Sequence, residues 1–481
     1  MLRLFDNLNG VTHSEVKQEK KDDKELAKLV SGVEWVRISF VNVNGLLLSI
    51  AIPPSRFPQI VKTGLPKPYG LLACPWMWEG VPDGAPVSIV GECNLVPDLS
   101  TFRVLPYEGE NDAMVFGELF DRGMDASGRL VHGERMPYCT RYFMRKQAQQ
   151  IKDEFGLEVT AGVELEFMLY ETTDDATKTI KPIDTLFYED DRAYRSKAGK
   201  AVREMVNTLQ TMNIGVYTWH AEVAAGQYEI SFAPGPVIEV IDNLVYTKQC
   251  INAIAEKHNL KATFLPKPLF EDAGNGLHVH MSLKDIHTGK NIFPAPGTKR
   301  GFSLPAENFL AGVLKHITAI CGVSMPTTHS YMRVRPGMFA SAYACWGYEN
   351  REACIRMASP PYGEPFNNVE FRPFDGTNNP YLSVGLYLVA GIDGLRNKLE
   401  LPDPVETDPH SLGEEERTRR GIKPLPASLP EALENLKNDS VLIEALGANL
   451  TQLYFAQKKA ELAFFKDMSD LDQLKHFLQK F

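Results

Sequence analysis

Four short stretches put charged or imidazole side chains at alternate positions with apolar residues between them. In VELEF, Glu164 and Glu166 are two apart. A strand has a side-chain period of two, so both carboxylates point to one face. LHVHMSL does the same with His278 and His280, and VEFRPF with Glu370 and Arg372. EVAAGQYEI sets Glu222 and Glu229 on either side of an Ala-Gly-Gln turn, one on each arm of a hairpin. The opposite faces (Val163, Leu165 and Phe167; Leu277 and Val279; Val369 and Phe371) are apolar and belong in a core.

Inward carboxylates need a counter-charge. Two of them about 4 Å apart repel by roughly 4 kcal/mol at an effective dielectric near 20. A solvent-facing strand accounts for any one such pair. Four in one chain point instead to a shared polar face neutralised by cations. Oxygen ligands with one or two imidazoles suit hard divalent ions, Mg²⁺ or Mn²⁺, better than zinc. HExxH, CxxC, GxSxG and the P-loop are all absent. SKAGKAVREM has a Gly-Lys but neither the preceding glycine nor the following Ser/Thr. ATP, if bound, is held through metal and arginine.

The stretch RVRPGMFASAYACWGYENR (333–351) carries Arg333, Arg335 and Arg351, a Pro-Gly turn and the apolar pair Met338–Phe339. Arg356 and Arg372 follow soon after. Guanidinium forks match carboxylates and phosphates, so this cluster beside Glu370 predicts a site for both.

The 481 residues suffice for a large core and two or three domains. A net charge of −10 argues against nucleic acid as a main partner. No apolar run reaches the roughly 18 residues that span a bilayer. The N-terminus lacks a signal-peptide pattern. Seven cysteines without a CxxC pair read as reduced thiols, so a cytoplasmic location is expected. The charged stretch 14–25 reads as a solvated helix start or loose arm. Val33 to Ile52 alternates around Asn44–Gly45, a hairpin signal. A β-rich N-terminal domain is expected to end near Asp125. Helical spacing begins at 137–155, strands and helices then alternate to about 400, 402–427 is a surface loop, and C-terminal helices follow.

Taken with PDLSTFRVLP, VELEF, EVAAGQYEI, GNGLHVHMSL, THSYMRVRPG, ENREACIRM and NNVEFRPFDGTNNPYL, the chain resembles the glutamine synthetase family over nearly its whole length, in both order and spacing. The resemblance implies an α+β fold. It comprises an N-terminal arm (1–25), a β-grasp domain (26–125) and a large C-terminal catalytic domain (133–481), in which a curved antiparallel sheet lines the active site and helices flank it. It also implies a ring homo-oligomer, a dodecamer, with active sites between subunits. Glu164, Glu166, Glu222, Glu229, His278 and Glu370 match the family's metal ligands, for two or three Mg²⁺ or Mn²⁺ per site. His280, Ser282 and Arg356 match ATP-side positions. Gly274, Arg333, Arg351 and Arg372 match the positions that hold glutamate and the transferring phosphate. The implied chemistry is activation of the γ-carboxylate of glutamate, or an analogue, as an acyl phosphate, followed by attack of an amine.

The nucleophile pocket departs from that pattern. Ammonia-using members carry a glutamate in the flap where this chain has Phe339. The segment that normally supplies an aspartate across the subunit interface reads ACPWMWEG (73–80), with none in its matching part. Trp76, Trp78, Met338 and Phe339 enrich the region in apolar bulk. These changes resemble the γ-glutamyl-amine and γ-glutamylpolyamine ligase branch, and aromatic faces attract organic cations. Ala273 and Asn368 are further departures, at positions often held by asparagine and arginine. No Asn-Leu-Tyr adenylylation segment is present. The expectation is an ATP-dependent ligase joining glutamate to an organic amine. The alternatives are glutamine synthesis from ammonia and a non-catalytic structural relative. The intact six-residue metal set argues against the last.

Overall fold

The structure is a computed structural model that describes residues 21–75, 77, 80–107, 111–171, 180–338, 340–358, 360 and 362–481. Phe339, Trp76 and Trp78, and the arm up to residue 20, lie outside the described residues. The remainder of the charged arm enters a helix at Asp23–Leu29, where Asp22 and Glu25 form a capping box.

The first sheet has seven strands: β1 (Val36–Val41), β2 (Leu47–Ile52), β3 (Leu65–Pro68), β4 (Glu92–Pro97), β5 (Arg103–Leu105), β6 (Asp112–Met124) and β7 (Leu130–Arg135). β1 and β2 form the hairpin expected at Asn44–Gly45. Gly45 takes φ +85°, and a Cβ there would lie 3.0 Å from the Asn378 carbonyl, so the turn requires glycine both conformationally and sterically. β1 runs parallel to β6. The sheet continues past the expected boundary at 125, because β7 pairs antiparallel with β6 as far as Arg135.

The second sheet has eleven strands. β8 (Leu157–Glu171) is its spine, flanked by β9 (Lys181–Pro182), β10 (Val216–Ala221), β11 (Gln227–Phe232), β12 (Gly235–Pro236), β13 (Lys261–Thr263) and β14 (Leu277–Asp285). β15 (Tyr343–Tyr348), β16 (Ala353–Met357), β17 (Val369–Phe371) and β18 (Lys423–Pro424) complete it. The order is β10-β11-β8-β14-β17-β16-β15-β18, antiparallel except between β15 and β16. The 402–427 stretch, expected as loop, also contains a short helix at Gly413–Arg419.

Helices Thr140–Phe155, Leu304–Ser324, Pro380–Asn397 and Leu429–Asn438 pack together behind this sheet. Asn379 caps the Pro380 helix by accepting from Leu382 N at 3.0 Å. Its amide donates to Asn42 O at 2.7 Å, so the same side chain ties that helix to the β1–β2 turn. Arg141 makes a second tie. It reaches Asp98 at 2.9 Å and Glu118 at 3.2 Å on the first sheet's side, and Asp242 at 2.9 Å on the second's. Among the described residues no helix is long and apolar enough to cross a membrane, and all seven cysteines are free thiols.

Candidate active site

Strand register turns the separate sequence pairs into one polar face. Glu164 on β8 stands opposite His278 on β14. Glu166 stands opposite Glu229 on β11. Glu370 on β17 faces His280 on one side and Arg356 on the other. Residues directly opposite in an antiparallel pair share a face with Cβ atoms about 5 Å apart. Glu222 follows β10 directly, held by its backbone N–H to Gln227 O at 2.8 Å.

The side chains converge as three ligand groups: Glu164, His278 and Glu370; Glu166, Glu229 and His278; His220, Glu222 and Glu229. His278 Nδ1 lies 3.3 Å from Glu164, 3.5 Å from Glu370 and 3.8 Å from Glu166. All six carboxylate and imidazole residues expected as ligands are therefore gathered. His220, which sequence reasoning missed, joins them with Nε2 3.5 Å from Glu229. Its signal was present in HAE, where His220 and Glu222 repeat the two-residue spacing.

The protonation pattern shows how crowded the charge is. Burial, reinforced by repulsion from Glu229, pushes the Glu166 carboxyl up to about 7. Burial and the Glu166 and Glu229 charges push Glu222 up to about 8. Burial opposes the charged forms of Glu164 and Glu370 as well. Hydrogen bonds to His278 and His280 nevertheless hold Glu164 well below its usual range, and Arg372, His278 and Arg356 hold Glu370 down at about 2. His220 is raised to about 9, its carboxylate neighbours outweighing its burial.

Divalent cations fit this donor set. His278 Nε2 is buried with no hydrogen-bond partner among the described residues. A Cβ on Gly276 would fall 2.8 Å from that atom and 3.0 Å from Glu166 Oε1, so the absence of a side chain at Gly276 keeps the ligand atoms accessible.

Beside the cluster lies a cavity of about 350 Å³. Glu164, Glu166, Glu222, Glu229 and His278 form its floor, and Arg333, Arg351, Arg372 and Gly274 its sides. Arg333 is buried and donates from Nη2 to Phe374 O at 2.7 Å, while its Nε has no partner. Gly274 admits that arginine, since a Cβ there would lie 2.1 Å from Pro266 O and 2.9 Å from Arg333 Cγ. Lys267 and Gln227 also line the cavity and were not anticipated. Lys267 comes from the loop after β13, and Gln227 hydrogen-bonds Glu166 at 2.8 Å. Phe187, Tyr188, Val223 and Met338 form the apolar part of the wall, partly exposed to solvent.

His280, Ser282 and Arg356 do not line this cavity. His280 lies at the cluster's edge, 3.1 Å from Glu164 and 2.9 Å from Asn368. Ser282 is buried two residues further along β14, and Arg356 contacts Glu370.

Residues 137–475 match the glutamine synthetase catalytic domain. The chain belongs to the glutamine synthetase family. A glutamine synthetase of Clostridium saccharobutylicum is 32% identical over 97% of this chain and 100% of its own length. One of Halobacterium salinarum is 30% identical over 98% and 100%. A solved glutamine synthase homolog superposes with a TM-score of 0.79 at 27% identity, covering 93% of this chain and 99% of its own. A GmaS–ADP complex does so with a TM-score of 0.78 at 23% identity, covering 93% and 98%. Like the glutamine synthetase family as a whole, this protein is an ATP-dependent carbon–nitrogen ligase.

Proposed function

We propose that the protein joins an organic amine to the γ-carboxylate of glutamate or a close analogue, with ATP as co-substrate. In this reading Glu164, Glu166, Glu222, Glu229, His278 and Glu370 hold two or three Mg²⁺ or Mn²⁺. Bound cations neutralise the carboxylate ring and the polyphosphate. His280, Ser282 and Arg356 serve the nucleotide side. Gly274 leaves room for glutamate, and Arg333, Arg351 and Arg372 hold its carboxylates and the transferring phosphoryl group.

A carboxylate resists attack by an amine, so it is first activated. A γ-carboxylate oxygen takes the terminal phosphoryl group of ATP, releasing ADP. The amine nitrogen then attacks the carbonyl carbon and gives up one proton. The C–O bond to phosphate breaks, and the amide and inorganic phosphate are the products. Water would hydrolyse the acyl phosphate, so the flap at 334–341 must close over it before the amine attacks.

The apolar wall carries the choice of amine. Phe187, Tyr188, Val223 and Met338 line the cavity next to its carboxylate floor. A carbon-bearing ammonium fits such a surface, with its charge toward Glu222 and its chain against the aromatic rings. Phe339 follows Met338 in the sequence and adds a second apolar residue to that stretch. The reading also takes the arm 1–25, domains 26–125 and 133–481, and a cytoplasmic dodecameric ring with sites between subunits. Nucleic acid and membrane have no part in it. Glutamine synthesis from ammonia is the second reading, favoured by relatives named as glutamine synthetases at 30–33% identity.

Phosphate release with ATP, Mg²⁺, glutamate and a panel of amines separates the two. The expected result is a kcat/KM for at least one alkyl, aromatic or polyamine substrate about tenfold or more above that for ammonium. Turnover with ammonium and with no organic amine would overturn the proposal. No turnover from a protein that still forms rings would favour the structural relative. Phe339→Glu is expected to move the preference toward ammonium, and Glu164→Ala or Glu370→Ala to abolish turnover.

A further inference from the structure

Ser341 ends the flap in a backbone conformation that serine rarely adopts, φ +62°, and it is fully buried. A buried non-glycine residue in the left-handed region persists only where its surroundings over-determine it, and such residues gather at functional sites. Here the surroundings are the arginines. The Ser341 hydroxyl accepts from Arg372 Nε at 3.0 Å. It donates to Ala353 O at 3.0 Å, with Arg351 O at 3.4 Å as the longer alternative. Arg372 in turn receives Arg333 Nη2 on its main-chain carbonyl at 3.4 Å. One hydroxyl thus joins the end of the flap, the turn that carries Arg351, and the guanidinium of Arg372.

We propose that Ser341 is a positioning residue. It acts as a latch that aligns Arg372, and with it the Arg351 turn, when the flap is in place over the cavity. The hydroxyl is suited to this because it bridges a donor and an acceptor simultaneously. Arg372 has its Nη1 end on Glu370 and its Nε edge on Ser341. Both ends of the guanidinium plane are therefore fixed, which sets the direction of its remaining N–H bonds. Methyl or hydrogen in place of the hydroxyl would remove the anchor at the Nε edge of Arg372. The latch concerns the ligase reading above, because the step it supports is phosphoryl transfer.

The test uses the full-length protein with Ser341→Ala, which keeps Cβ and backbone conformation but removes the oxygen, and Ser341→Gly, which also relieves the left-handed strain. With ATP, Mg²⁺, glutamate and the best amine, both variants are expected to lose about ten- to a hundredfold in kcat, with the KM for the amine unchanged. Their melting temperatures should fall by no more than the loss of one buried hydrogen-bonding hydroxyl, and by less for glycine, which also relieves the left-handed strain. In a cycle with Arg372→Lys, the double variant should be no slower than Arg372→Lys alone. A residue that merely packs would give unchanged kcat, or a fall in melting temperature with additive losses, and either result overturns the latch. Amide hydrogen exchange gives a readout independent of turnover. Residues 351–356 should exchange faster in Ser341→Ala, and unchanged exchange overturns the latch. A parent protein inactive with every amine and with ammonium would overturn the ligase reading while leaving the exchange result to decide on Ser341.

Discussion

A tight steric constraint at the site falls on Gly276. At Gly276 an added Cβ would press on His278 Nε2, on Glu166 Oε1 and, at 3.3 Å, on Arg333 Nη1. Glycine there preserves ligand geometry rather than backbone freedom. Gly276→Ala is accordingly expected to cost about a hundredfold in kcat/KM, since displacing catalytic groups by about 1 Å carries that penalty. Isothermal titration with Mn²⁺ should show weakened binding in the same variant, and unaltered Mn²⁺ affinity would show that the ligand atoms tolerate the methyl group. The spacing of carboxylates pointed to Glu164, Glu166 and Glu370 as candidate ligands. It did not reveal why Gly276 must lack a side chain, because the atoms it would meet come from β8, β14 and the short helix Ser330–Arg333.

Among the elements, the C-terminal helix Asp470–Phe477 supports the substrate loop from below. Phe481 O accepts from Phe264 N at 2.9 Å and Thr263 Oγ1 at 3.0 Å, and the chain then proceeds to Lys267 and Gly274. His329 is wedged between Phe477, at 4.9 Å between centroids, and Phe270, at 5.8 Å, beside Asp470. Burial pushes its pKa down to about 4. A folded pKa below the unfolded one means that the folded state binds fewer protons, so stability is full above about 6.5 and falls as pH drops toward 4. His329→Phe is expected to flatten that acid limb, measured as melting temperature between pH 4 and 7. An identical acid limb would show that another group dominates it. Local periodicity marked the helices at Leu429–Asn438 and Ser440–Phe465, not the last one. The contact of the last helix with the 264–274 loop did not, because no sequence pattern links positions so far apart.

Two properties belong to the whole molecule. Arg141 bridges the sheets through Asp98, Glu118 and Asp242; removing it would leave the buried Asp242 carboxylate without its cation, while Glu118 keeps Arg135 and Arg145. Arg141→Met should destabilise the chain by about 3–5 kcal/mol in urea unfolding. A loss under about 1 kcal/mol would show that the domains are held by apolar packing alone. The second property is linkage at the cation cluster. Glu166, Glu222 and His220 have folded pKa values raised to about 7, 8 and 9. Without divalent ions the folded state therefore holds more protons than the unfolded chain between pH 7 and 9. Stability should fall as pH rises through that window. Saturating Mg²⁺ or Mn²⁺ should raise the melting temperature and flatten the slope, since the cations bind the deprotonated form and the unfolded groups carry almost no protons there either. A metal-free protein whose stability is level from pH 7 to 9 would contradict the proton count.

The sequence by itself determined the residue types, their two-residue spacing, the hairpin at Gly45 and the family, because period and turn chemistry are local. Only the tertiary structure decided that four strand faces become one surface, since cross-strand register places His278 beside Glu164 and Glu229 beside Glu166. It also decided the membership of His220 and Lys267, the role of Gly276, and the meeting of Ser341 with Arg372. Each of these depends on atoms brought together from distant strands and loops, where burial and mutual repulsion raise the carboxyls of Glu166 and Glu222.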